Sequence, residues 1–235
     1  MKKIEYHLKT LEHVQEIGGN MKNVRETILS SSKKLFLEKG YEKTTIREII
    51  SCSGVLSGSI YHFFKNKEDI FKSLVLELFD EYEQRVIKHF GDIKEPEFLY
   101  ILIIAIELKS IEKNERIREL YYEAYTSDLI FERIVDQDSK KLREVFRIHN
   151  PEYDLSDYYN ANLMIKGSMR SCIVDCKNDS KNSNNKRNNI LFSMILGLMN
   201  VSVDEIDTIV KNINMMDVEI EYIVDELIAE KLNVG

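Results

Sequence analysis

The sequence predicts an all-α chain in which a three-helix N-terminal helix-turn-helix domain precedes a larger helical body. Three observations carry that expectation. Only two prolines and nine glycines interrupt 235 residues, and 43% of the chain is hydrophobic, enough to bury a substantial core. Apolar residues recur at three- and four-residue spacing through most of the chain. Between Thr44 and Lys67, TTIREIISCSGVLSGSIYHFFKNK, two short apolar faces (Ile46, Ile49, Ile50, then Ile60, Phe64) flank a break at Gly54-Val55, as in two helices joined by a tight turn.

Taken in order, residues 1–20 show weak helical periodicity (Ile4, Leu8, Leu11, Val14) and end in Gly18-Gly19-Asn20. They read either as a native amphipathic arm or as a leader ahead of a start at Met21. The domains are accordingly drawn as 1–21, 22–67 and 68–235. Residues 22–39 form a helix with Val24, Ile28, Leu35 and Phe36 on one face and Ser31-Ser32 at a close contact, closed by Gly40. Thr44-Thr45 is placed to cap the next helix. A long helix follows from Asn66 to about Phe90, and Pro96 opens another whose Phe98–Leu108 stretch is apolar almost all round and so belongs at the centre of the body. Residues 114–147 read as one broken helix or two consecutive ones. Ser156 is the expected cap of a helix over 157–177, the polar run 177–189 reads as a mobile surface loop, and Ile190–Met199 is a nearly all-apolar helix. Ser202 with Glu205 makes a capping box, and residues 217–231 supply the last amphipathic helix.

The net charge of −7 is unevenly spread. Residues 22–67 carry nine Lys or Arg against four Glu, a net +5, whereas residues 1–21 balance, leaving −12 on the remainder. A basic head on an acidic body suits one end to phosphate and the other to solvent. The three cysteines are too few and odd in number for a disulfide framework. Cys172 and Cys176 share a helix face, but nothing near them completes a metal site, and they read as buried thiols. The longest apolar runs are half a bilayer span and no secretory signal opens the chain, so a cytoplasmic location without membrane insertion is expected. There is no HExxH, no G-x-S-x-G and no phosphate-binding glycine loop, and the five histidines are scattered. No catalytic residue, metal or cofactor is expected.

The run through Ile28, Leu35-Phe36, Gly40-Tyr41, Thr44-Thr45-Ile46, Ile49, Gly54-Val55, Gly58-Ser59-Ile60-Tyr61, Phe64, Lys65 and Lys67-Glu68 resembles the DNA-binding domain of the TetR family of bacterial transcriptional regulators. The resemblance covers about 50 residues in fixed order. It implies phosphate contacts from Thr44, Thr45, Tyr61, Lys65 and Lys67 and close backbone approach at Gly58. Base-edge contacts would come from Ser57, Ser59 and His62, with Arg47 at the groove rim. Two positions depart from the family pattern. Leu56 replaces a common capping Ser or Thr and offers methyls to a thymine, and Phe63 replaces a common Tyr or His.

The resemblance also makes the body a ligand-binding and dimerisation domain. Phe79, Tyr82, Tyr121, Tyr122, Tyr125, Met164 and Met169 are the candidate lining of a cavity for a small, largely apolar effector. Helices over 157–177 and 186–200 would form the homodimer bundle, with Gly167, Ser168, Ser171 and Gly197 allowing close approach. The function implied is a transcriptional repressor released from a palindromic double-stranded operator by its ligand. Two alternatives stand beside it: control by a protein partner, and a helical interaction module or enzyme with a vestigial head.

Overall fold

The computed structural model describes residues 21, 23–177 and 184–232 and, among them, is helical throughout, without a strand. The chain divides between Val75 and Leu76 into two compact units. The N-terminal arm over 1–20 and part of the expected polar loop, 178–183, lie outside the described residues.

The first unit holds α1 (23–39), α2 (Ile46–Ser53), α3 (Ser57–Phe63) and the first turns of α4 (Lys67–His89). Gly40 ends α1 in the left-handed region, φ +84°, with its N–H on Phe36 O at 3.0 Å. Thr45 and Glu48 form a reciprocal capping box at the start of α2, and Gly54 ends that helix with φ +67°. Ile28, Phe36, Ile49, Ile60, Phe64, Ile70 and Phe71 close the core, the Phe36 and Phe71 rings meeting edge-on at 5.3 Å. The unit therefore ends inside α4, beyond the boundary expected at residue 67, because Ile70, Phe71 and Leu74 are needed to seal it.

In the second unit α5 (Pro96–Lys113) is central, packing on α6 (Glu115–Thr126), α7 (Asp128–Phe146), α8 (Leu155–Lys177), α9 (Asn184–Leu198), α10 (Val203–Met215) and α11 (Asp217–Leu232). Its apolar residues face every side, and nine of its positions are buried. The stretch over 114–147 resolves into two helices because Ser127 caps the second, accepting from Ile130 N–H. Two expectations are corrected here. Asp154, not Ser156, caps α8, since its carboxylate accepts from the N–H groups of Ser156 (2.7 Å) and Asp157 (3.1 Å). Residues 184–189, assigned to the polar loop, form the first turns of α9. There, Arg187 bonds Asp175 at 2.6 Å and Asn188 bonds Glu112, so α9 starts on polar partners that composition alone hides. Among the described residues no helix is long and apolar enough to cross a membrane.

Candidate nucleic-acid interface and ligand cavity

The α3 surface is set by what its neighbours already use. Ile60 is buried and holds the helix down, which turns Ser57, Gly58, Tyr61 and His62 outward, with Ser59 half-buried. Tyr61 is 58% exposed and Leu56 80%, and α3 starts at Leu56 with no side-chain cap. Free N–H groups at this helix start, the Leu56 methyls and a run of small hydroxylated residues form a surface that donates hydrogen bonds and lets a backbone approach closely. A Cβ built on Gly58 meets nothing within 4 Å, so that approach is open. Arg47 on α2 and Lys65 after α3 are exposed.

Two expected DNA contacts are otherwise engaged. Thr44 is buried, 1% exposed, and its hydroxyl donates to Gly40 O (2.9 Å) and lies 3.3 Å from Leu35 O. It ties the end of α1 to the start of α2 instead of facing phosphate. Lys67 donates to Tyr41 O at 2.9 Å and sits 4.0 Å over the Tyr41 ring, which holds its ammonium against the head. Thr45 remains exposed, with its hydroxyl bonded to the Glu48 carboxylate at 3.0 Å. Bonding to Lys39 first, and then to the Thr45 backbone and hydroxyl, lowers Glu48 to about 2. Glu48 is therefore charged at neutral pH opposite Lys39.

Within the second unit, α4, α5, α6, α7 and α8 line a half-open cavity of about 540 Å³. Phe79 and Tyr125 line it as expected from the sequence. Tyr121 lies directly behind, stacked on Phe79 at 4.6 Å, and Met169 is buried against the Tyr125 hydroxyl. Three proposed lining residues belong elsewhere. Tyr82 is spent on a 2.7 Å bond to Ser110 Oγ, Tyr122 faces Lys177, and Met164 is 61% exposed on the outer side of α8.

The lining is also far more charged than an apolar site would be. Lys166 forms a 2.8 Å ion pair with Asp138, Tyr100 donates to Asp138 at 3.3 Å, and Tyr121 donates to Glu107 at 3.3 Å. Burial pushes the Glu107 carboxyl up to about 7, Lys166 opposes that shift, and Asp138 and Glu83 add to it. Burial acts to lower Lys166, but Asp138 and its other neighbours hold it above the ordinary lysine value. Neither Glu107 nor Lys166 was singled out in the sequence. The available signal was a single charge inside an otherwise apolar run, Glu107 after Phe98–Ile106 and Lys166 after Leu163–Ile165.

Leu163, Met164, Ile190 and Met194 expose apolar surface on α8 and α9, and Ser168 Oγ reaches Met194 Sδ at 3.6 Å to join the two helices. A Cβ on Gly167 meets nothing within 4 Å, and Ser171 is exposed beside it. Gly197 is exposed on α9, its built Cβ 4.0 Å from Ile206.

A helix-turn-helix DNA-binding head followed by an all-helical body with a polar-floored cavity is the class that these features define. The family model for bacterial regulatory proteins of the tetR family matches residues 28–74. Through its head the chain is thus similar to the tetR family of bacterial regulatory proteins. It is 36% identical over 64 residues to the transcriptional repressor KstR2 of Mycolicibacterium smegmatis, covering 26% of this chain and 31% of that protein. It is 33% identical over 92 residues to the transcriptional regulator HbdR of Aromatoleum sp., covering 38% of this chain and 40% of the relative. The match thus spans about a third of the length of such relatives. Over the whole fold, the crystal structure of RolR in complex with resorcinol aligns with a TM-score of 0.63 at 13% identity, covering 82% of this chain and 95% of RolR. That likeness extends the fold to the second unit.

Proposed function

We propose that the protein is a homodimeric transcriptional repressor that leaves a palindromic operator when a small molecule fills the cavity of its second unit. The observation that carries the reading is the α3 surface, where Ser57, Gly58, Tyr61 and His62 stand outward without an ion pair among them. A helix of that chemistry fits a major groove, while Arg47 and Lys65 reach the flanking phosphates. Dimerisation would pair the apolar face of α8 and α9, bringing Gly167, Ser168, Ser171 and Gly197 into close approach and setting two recognition helices about one DNA turn apart. RolR, crystallised with resorcinol, supports a small-molecule role for the body, and the curated repressors support a repressing one. α4 gives Ile70 and Phe71 to the core of the head and Leu76, Phe79 and Glu83 to the cavity lining. A ligand that prefers α4 displaced therefore shifts the population away from the operator-bound spacing, with coupling of about 1–3 kcal/mol.

The test is an operator gel shift with Tyr61→Ala and Lys65→Ala. Each loses a contact worth about 1–3 kcal/mol, so affinity should drop about fivefold or more. Unchanged affinity in both variants removes the proposed DNA face.

A further inference from the structure

The cavity also says what kind of molecule suits it. Its lining carries five carboxyl groups (Glu77, Asp80, Glu83, Glu107, Asp138) and four cations (Arg133, Lys140, Lys141, Lys166). Most of these charges are already matched. Lys166 of α8 is held by Asp138 of α7, Lys141 of α7 pairs with Glu83 and reaches Asp80 of α4, and Arg133 bonds Asp136 at 2.8 Å. Glu107 is different. Among the described residues it receives one hydrogen bond, from Tyr121 at the long distance of 3.3 Å, although a carboxylate has about four acceptor sites. Besides Lys166, Asp138 and Glu83, the titratable groups around it are Tyr82, Tyr100, Tyr121 and Tyr125, all uncharged at neutral pH. Aromatic and aliphatic walls from Phe79, Tyr125, Ile103, Ile104 and Ile134 complete the space.

We propose that this cavity binds a monocationic amine with an apolar, ring-bearing body, its ammonium donating to Glu107 and its body lying against Phe79, Tyr125 and the isoleucines. The proposal rests on the cavity being the effector site of the proposed function. An ammonium supplies the donors that Glu107 lacks and offsets the negative charge that Glu107 carries once ionised, and aromatic faces favour cations further. A hydroxyl supplies a donor but leaves that charge uncompensated. A carboxylate ligand beside Glu107 meets Lys166 already paired with Asp138, and taking it leaves Asp138 without its cation. Because Glu107 holds its proton up to about pH 7, the amine binds its ionised form and releases that proton, so binding strengthens as pH rises.

The experiment is calorimetric titration of the full chain with phenylbutylamine, phenylbutanol and phenylbutyrate, which share one body and differ in the head group. The amine should bind about tenfold tighter than the alcohol and the butyrate weakest. Amine affinity should rise about tenfold from pH 6 to pH 8, with proton release that varies the measured heat between buffers. Glu107→Gln should remove the amine preference and the pH dependence while keeping alcohol binding. Ile103→Trp, which fills the cavity, should remove binding of every probe. If the alcohol or butyrate equals the amine in the native chain, or Glu107→Gln leaves the preference intact, the ligand class is overturned and the effector site stands. If no probe binds the native chain, or all bind Ile103→Trp undiminished, the effector-site reading falls with it.

Discussion

Replacing Glu107 by Gln should stabilise the folded chain by an amount that grows with pH. The ordinary carboxyl value is 4.5, and in the folded chain burial holds Glu107 at about 7. Between those two values the folded state keeps a proton that the unfolded chain has released. Raising the pH through that window therefore favours unfolding, and above about 7 the penalty is complete. At 1.36 kcal/mol per pH unit, the limit is about 3 kcal/mol. Water reaching the carboxyl through the cavity screens part of it, which leaves about 1–3 kcal/mol. Gln keeps the shape and can still accept from Tyr121, so little else changes. Urea denaturation of both proteins at pH 5 and pH 8 reads the difference. The stability gap in favour of Gln should be wider at pH 8 by about 1–3 kcal/mol. A gap that is the same at both values refutes the idea that Glu107 is a half-buried, undercompensated acid.

Other predictions follow from neighbouring contacts. Asp138→Asn leaves the buried Lys166 without its carboxylate and should cost about 3–5 kcal/mol in the same denaturation assay, most of it recovered when Lys166→Met is added. Gly54→Ala should lower stability by about 1–2 kcal/mol. The built Cβ there meets nothing within 4 Å, so the loss comes from φ +67° alone, and a thermal melt reads it directly. Lys65→Ala should weaken operator binding across sequences and reduce the slope of log affinity against log salt by about one, whereas Lys67→Ala, whose ammonium is held on Tyr41, should change that slope less.

The parts of the molecule legible in the sequence are those fixed by local chemistry. Gly40 and Gly54 marked helix ends because each has positive φ, and the Thr44-Thr45 hydroxyls and the Ser202/Glu205 spacing marked helix starts because each cap closes within four residues. α5 was placed at the centre by its all-round apolar surface. The errors arise where a side chain answers to a distant partner. Thr44 reads as a surface hydroxyl until Leu35 O is found beside it, and Lys67 reads as a phosphate contact until Tyr41 is. Met164 and Met169 are five residues apart on one helix, yet α8 turns one to solvent and buries the other against Tyr125.

The cavity was the least legible feature. Its aromatic residues were counted from the sequence, but its character is set by Glu107, Asp138 and Lys166, which come from three helices and are brought together only by packing. Tyr82 and Tyr122 show the converse: aromatic residues at plausible spacing that meet Ser110 and Lys177 and do not line the cavity.

In the proposed function α3 reads DNA as one half of a two-fold pair. Selection of bound duplexes from a random pool by the full chain tests it most directly. The expected result is enrichment of a palindrome whose half-sites lie about one helical turn apart, lost in Tyr61→Ala. Enrichment of a single unpaired half-site contradicts the dimer, and no enrichment at low salt contradicts DNA recognition itself.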